Sequence, residues 1–176
     1  DLLHVSGLLL AGDTLDVFVC HFPSRSGGAK ESEPYRLYVA HILRTEVDSI
    51  MNIRSHPQAI IMGDFNDYPT NQSILKILKA EAPPVKTNDL ASTTDSANAS
   101  TVTPSSLKLY HLLARKAKSK NFGSYKFRGE WGLLDHLIVS GTLLNQSNHF
   151  FTSEEKANVC LLPFLLKDDE KYGDKE

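Results

Sequence analysis

The spacing of apolar positions changes along the chain, and each change marks an element. Leu2 to Leu10 is a mostly apolar run, Ala11-Gly12-Asp13 has turn composition, and Thr14 to His21 is again apolar and β-branched. Two such runs around a Gly-Asp turn predict a β-hairpin. The runs are nearly continuous, which predicts strands covered on both faces. Pro23 to Pro34, with Ser24, Ser26, Gly27, Gly28 and Ser32, reads as a loop. From Tyr35 the period lengthens. Tyr35, Val39, Ile42 or Leu43, Val47 and Ile50 recur every three to four residues, with Arg36, Arg44, Glu46 and Asp48 between them. That is the pattern of an amphipathic helix, which His56-Pro57 should stop. Ala59 to Met62 predicts a short buried strand ending at Gly63-Asp64, and Thr70 or Asn71 could cap a short helix from Gln72 to Lys79.

Glu81 to Ser106 is rich in Ser, Thr, Asn, Ala and Pro, with few large apolar residues. Strands resume beyond it, so it reads as an insertion within one domain, either an ordered functional loop or a mobile one. Leu107 to Lys118 has helical spacing through Leu107, Tyr110, His111 or Leu113, and Ala114. Ser124 to Phe127 and Leu133 to Ser140 predict strands. Phe150-Phe151 could begin another, and the apolar run Val159 to Leu166 is broken by Pro163.

Composition narrows the class. With 176 residues, 41% hydrophobic and 23% charged, the chain suits one globular domain rather than a collagen-like, low-complexity or disordered polymer. No apolar run reaches the roughly 18 residues of a membrane span. A net charge of −2 excludes a globally basic nucleic-acid binder but leaves room for a local basic patch. Cys20 and Cys160 are the only cysteines, too few for a disulfide framework or a cysteine zinc site; one bridge between them stays open.

Three segments place proton-handling groups at the ends of apolar strands, where α/β proteins build sites. In Ile60-Ile61-Met62-Gly63-Asp64-Phe65-Asn66-Asp67, Asp64 and Asn66 are two apart, so in extended geometry both point to one side. A carboxylate beside an amide can hold a cation or orient a water, although a plain turn uses the same residues. In Val19-Cys20-His21-Phe22-Pro23-Ser24-Arg25, an imidazole, a hydroxyl and a guanidinium suit an anionic oxygen; a surface histidine and a loop arginine are the simpler account. In Leu133-Leu134-Asp135-His136-Leu137-Ile138-Val139-Ser140, Asp135 sits within an apolar strand and calls for a partner. Successive strand residues alternate, so His136 faces away from it.

Together, His-Phe-Pro-Ser-Arg, Gly-Asp-Phe-Asn-Asp-Tyr-Pro and Gly-Ser-Tyr-Lys-Phe-Arg-Gly-Glu-Trp leading into Leu-Asp-His-Leu-Ile-Val-Ser occur in the order and spacing of one superfamily. From about residue 14 to residue 140 the chain resembles the endonuclease/exonuclease/phosphatase superfamily, which includes deoxyribonuclease I, abasic-site nucleases, neutral sphingomyelinases and inositol-polyphosphate 5-phosphatases. The His-x-Pro-Ser-Arg form resembles bacterial members. The resemblance implies a four-layer α/β sandwich, two packed mixed β-sheets flanked by helices. It implies hydrolysis of phosphate esters assisted by Mg²⁺ or Mn²⁺. Carried over residue by residue, Asp64 resembles the aspartate that orients the attacking water or binds metal, and Asn66 the asparagine that steadies the phosphate. His21 resembles a phosphate-contacting histidine, and Asp135 the aspartate that orients a catalytic histidine. Ser24 and Arg25 are candidates for substrate phosphate, and Trp131 for a substrate-stacking platform or a core aromatic.

Two family elements have no match: an early strand with a metal-binding glutamate, and a closing Ser-Asp-His. The expectation is therefore a single partial domain over residues 1–176, lacking N-terminal strands and the C-terminal end, and inactive alone. A non-catalytic binding module that kept the fold is the alternative. The substrate could be nucleic acid or a small-molecule or lipid phosphoester. The stretch Arg115 to Arg128 carries Arg115, Lys116, Lys118, Lys120, Lys126 and Arg128 without an acid, with Phe122, Tyr125 and Phe127 among them. It suits a phosphate backbone or a polyphosphate, or else a solvated surface, which the net charge favours. No protein partner is legible.

Overall fold

The computed structural model describes residues 1–85, 105–162 and 164. Most of the predicted irregular stretch, and most of the run from Pro163 onward, lie outside the described residues. The hairpin forms as predicted: β1 (Leu2–Leu8) pairs antiparallel with β2 (Thr14–His21). Helix α1 (Glu33–Ile53) carries the chain to β3 (Gln58–Asp64), which lies parallel to β2. After a π-helical turn (Ser73–Leu78) come β4 (Ala80–Glu81), β5 (Leu109–His111), a two-stranded ribbon of β6 (Tyr125–Phe127) and β7 (Glu130–Gly132), and β8 (Asp135–Ser140). The six-stranded sheet runs β1-β2-β3-β8-β5-β4 with mixed directions, and the ribbon is a second sheet. The class is α/β, a six-stranded mixed sheet with a small antiparallel second sheet and flanking helices, in line with the expected fold class.

Alternation along the strands separates two apolar clusters. Phe18, Cys20, Ile61 and Ile138 face α1 and the π-helical turn, with Phe22, Phe65, Ile74 and Leu78. Residues of the other parity, Val139 and Tyr110, join Leu112, Leu113, Leu133, Leu143 and Ala157 on the opposite side. That second cover stops short of the hairpin: β1 is exposed at every residue, and Leu3, Val5, Val19 and Met62 are open to solvent. Double-sided burial of the hairpin is thus overturned. Helix α1 covers one face of β2 only, and β1 is a sheet edge. Instead, Asp16 ties β1 to the end of α1, accepting hydrogen bonds from Arg54 Nε (3.1 Å) and Ser6 Oγ and lying 3.0 Å from His4 Nε2. Burial raises the Asp16 pKa, but the Arg54, Ser6 and His4 hydrogen bonds and the Arg54 charge outweigh it and hold the carboxyl below its ordinary value.

Two more readings are corrected. Leu107 to Lys118 is not a helix: Leu109–His111 is a strand between β4 and β8, followed by a turn and a 3₁₀ turn at Lys116–Lys118. Long-range pairing overrides local periodicity there. No strand forms at Phe150-Phe151, and neither Thr70 nor Asn71 caps the turn after it. Asn71 Oδ1 instead accepts the Tyr68 N–H at 2.6 Å.

In α1, the buried stripe is Arg36, Ala40, Leu43, Val47 and Met51. Tyr35 is 67% exposed and Tyr38 68%, so the face is turned about one residue from the predicted one, and Arg36 heads the core stripe at 1% exposure. Its Nε lies 2.8 Å from Asp67 Oδ1, with both side chains buried. Arg36 Nη1 donates to Ser32 Oγ (2.6 Å) and Nη2 to the Ala29 carbonyl (2.7 Å), while Ser73 Oγ donates to Asp67 Oδ2 (2.7 Å). This ion pair fastens the loop after β2 to the loop after β3. Breaking a buried pair leaves an uncompensated charge, which costs about 3–5 kcal/mol. Asp67→Ala should therefore lower stability by about that amount in urea unfolding, and an Arg36→Met/Asp67→Leu pair should recover much of it.

Candidate functional site

Parallel strands present their carboxyl ends on one side of a sheet, where α/β proteins bind ligands. Here β2 and β3 end together: His21 is in register with Asp64, and Asp64 with Asp135 at the start of β8. The alternation that buries Cys20 and His136 turns His21, Asp64 and Asp135 to the opposite face, in one row across three adjacent strands. Pairing continues past the strand ends, with Phe22 N–H donating to the Asp64 carbonyl (2.8 Å) and Phe65 N–H to the Leu134 carbonyl (2.9 Å). Gly63 makes the close approach possible. Its φ is +128°, and a Cβ there would stand 2.0 Å from the Cys20 carbonyl oxygen.

Asp64 is held from beyond the strand. Asn66, at φ +49°, donates its backbone N–H to Asp64 Oδ1 (2.7 Å). Its side-chain amide donates to Asp64 Oδ2 (3.2 Å) and to the Phe22 carbonyl (3.1 Å). Both amide protons are spent inside the turn, so Asn66 orients Asp64 rather than offering a free donor to a phosphoryl oxygen. The sequence places Asp135 within an apolar strand; the structure places it at the strand's exposed first residue, where its backbone N–H donates to Ser124 Oγ (3.1 Å). Its carboxylate is solvated and needs no buried partner.

Ser24 and Arg25 lie on the loop after His21. Ser24 is exposed and its Oγ accepts the Ser26 N–H (3.1 Å). The Arg25 guanidinium lies over the Tyr68 ring, 4.9 Å from its centroid. Trp131 does not join the row. It lines a small cavity of about 60 Å³ with Phe122, Asn158 and Val159, and Lys126 Nζ lies 5.8 Å from its ring centroid. The basic stretch is partly turned inward. Arg115 bonds Glu154 and the Pro83 carbonyl, Lys116 bonds the Ala157 carbonyl, and Lys126 is buried, leaving Lys118, Lys120 and Arg128 exposed. Cys20 and Cys160 are unpaired; Cys20 is buried and burial pushes its thiol up to about 12.

A divalent cation takes several oxygen ligands. Among the described residues no three His, Cys, Asp or Glu side chains converge as a ligand set, and both Asp64 oxygens accept from Asn66. Asp64 is a single anionic donor, and the described residues do not by themselves fit a Mg²⁺ or Mn²⁺ site.

Sequence reasoning missed what lies beneath the row. His111 Nδ1 accepts the Leu113 N–H (3.1 Å), His111 bonds His136 Nδ1 through Nε2, and His136 Nε2 donates to the Asp67 carbonyl at 2.8 Å. This directional chain requires both rings neutral with the proton on Nε2. The His136 ring meets Phe65 edge-on at 4.9 Å. Burial lowers both histidine pKa values. For His111 the His136 charge adds to the effect; for His136 the Asp67 carbonyl and the Asp135 and Asp67 charges oppose it. The spacing left a weak trace: Arg36 stands in step with Ala40, Leu43 and Val47, and His136 alternates against Asp135.

A mixed α/β sheet raising a histidine and two carboxylates from the ends of three adjacent inner strands defines an α/β protein with a polar site at one end of the sheet. The chain belongs to the Endonuclease/Exonuclease/phosphatase family, which it matches over residues 1–175. Solved structures similar to it include the human Nocturnin catalytic domain with a bound sulfate anion, at 18% identity and a TM-score of 0.44, covering 74% of this chain and 37% of that one. Truncated Caenorhabditis elegans TDP2 is similar at 14% identity and a TM-score of 0.46, covering 80% of this chain and 46% of that one. The chain thus spans less than half the length of either. No curated protein sequence matches it. No helix among the described residues is long and apolar enough to cross a membrane.

The folded histidines resist protonation and the unfolded ones do not, so the unfolded state binds more protons below about pH 6.5. Their contribution to stability is full above that value and declines as pH falls. The melting temperature should drop on acidification from about pH 7 toward pH 5, and His111→Gln should make the profile shallower over that window.

Proposed function

We propose that this chain carries the site of a phosphoester hydrolase, a phosphodiesterase, nuclease or phosphatase, with the substrate phosphate over the row His21, Asp64 and Asp135. The in-register alignment of these three side chains, in a member of this family, is the observation that supports the reading most. Water attacks phosphorus, the bond to the leaving alcohol oxygen breaks, and that oxygen takes up a proton. Asp64, fixed by Asn66, orients the attacking water. His21 donates to a non-bridging oxygen, and Ser24 and Arg25 donate from the loop beyond it. Fixed donors aimed at developing charge are what such a transition state needs. Asp135 is the acceptor that would orient a catalytic histidine; His136 faces the other way and does not take that part. The described residues do not complete a Mg²⁺ or Mn²⁺ site, so these roles fall to the side chains themselves.

A binding module without turnover is the second reading, favoured by the incomplete ligand set. The two separate by kinetics. In the full-length protein, Asp64→Ala should lower kcat toward its phosphoester by about 10²–10⁴, the size of a lost proton-handling group; a fall below about tenfold would remove Asp64 from the reacting atoms. The 176-residue chain alone, assayed on bis(p-nitrophenyl) phosphate with Mg²⁺ or Mn²⁺, should match the buffer rate. Strong, Asp64-dependent turnover by it would overturn that expectation.

A further inference from the structure

Tyr68 is an exposed aromatic that the hydrolytic reading leaves without a task. Its place follows from the register. His21 and Asp64 are neighbours across parallel strands, and four residues further along each segment come Arg25 and Tyr68. The two meet, with the guanidinium carbon 4.9 Å from the ring centroid. Tyr68 also lies against Gly132 of β7, where a Cβ would stand 2.8 Å from Cε1 and 3.2 Å from the hydroxyl. Its backbone is pinned by Asn71, whose Oδ1 accepts the Tyr68 N–H (2.6 Å) and whose N–H donates to the Tyr68 carbonyl (2.9 Å). Below, Arg36 holds Asp67, next to Tyr68, and the Ala29 carbonyl of the Arg25 loop. Three segments therefore meet at one ring, beside the row of candidate residues.

Arg25 forms no ion pair among the described residues. A guanidinium held over an aromatic ring by cation–π attraction still has N–H donors to offer, and its planar fork matches two oxygens of a phosphate. We propose that Tyr68 is a positioning residue that presents Arg25 to a phosphate oxyanion of the substrate, making the Arg25–Tyr68 stack an anion subsite beside His21, Asp64 and Asp135. The identity of the anion rests on the phosphoester reading.

The test titrates inorganic phosphate into the purified chain at low ionic strength, by calorimetry and by the Arg25 side-chain NMR signal. Wild type should bind. Tyr68→Ala should weaken binding about fivefold, the size of one cation–π contact, while Tyr68→Phe, which keeps the ring, should stay within about twofold. Arg25→Ala should lose binding, and adding Tyr68→Ala to it should cost nothing more, because the two act as one unit. Arg25→Lys sits on the loop away from the core and keeps the charge but not the fork. It should also weaken binding, which covers the case of a Tyr68→Ala chain that fails to fold. No binding by wild type, wild-type affinity in Tyr68→Ala or Arg25→Lys, or additive losses in the double variant would overturn the proposal. Phosphate binding that depends on both residues, without Asp64-dependent turnover in the full-length protein, would discard the hydrolytic reading and keep the subsite. Asp64-dependent turnover with Tyr68-independent phosphate binding would do the reverse.

Discussion

The Arg36–Asp67 ion pair is the contact on which the candidate site depends. Both groups are removed from water, so neither tolerates losing the other. Each is also committed elsewhere: Arg36 to Ser32 and Ala29, Asp67 to Ser73, and the Asp67 carbonyl to His136. One buried charge pair thus couples the start of α1, the loop after β2, the loop after β3 and the beginning of β8. A buried pair is a weak source of net stability, because desolvation offsets much of the attraction. What it supplies here is position. A slip of either loop would strand a charge in the core.

Chemistry of opposite kinds sits on the two faces of the sheet end. His21, Asp64 and Asp135 point to the open face, while His136 and His111 point to the packed one, where burial keeps them neutral. Strand alternation alone makes this division. The open face can carry charge because solvent or substrate balances it. The packed face holds a relay of neutral rings that ends on the backbone of the loop bearing Asn66 and Asp67. Arg25 and Tyr68 extend the open face outward without entering the core.

Three particulars show where the pattern of residues misleads. The α1 stripe is offset by about one residue because Arg36, a charged group, occupies a core position; hydropathy assigns a cation to solvent and cannot foresee Asp67 arriving from 31 positions away in the chain. Leu109–His111 has helical spacing but becomes a strand because β8 and β4 supply backbone partners on both sides. The basic stretch resembles a nucleic-acid surface, yet Arg115 and Lys116 tether the segment near Glu154 and Ala157, and Lys126 is buried over Trp131.

The sequence by itself determined the hairpin, the long helix, the strands ending at Asp64 and beginning near Asp135, and the motifs that mark the family. These rest on local period, turn composition and short spacings, which neighbouring residues carry within themselves. Only the tertiary structure decided that His21, Asp64 and Asp135 stand in one row, that Asn66 turns its amide inward, that Trp131 faces a separate cavity, and that Arg36 is the hidden clamp. The physical reason is that register between distant strands, and the pairing of a buried charge, are set by which segments meet. No short stretch of residues holds that information.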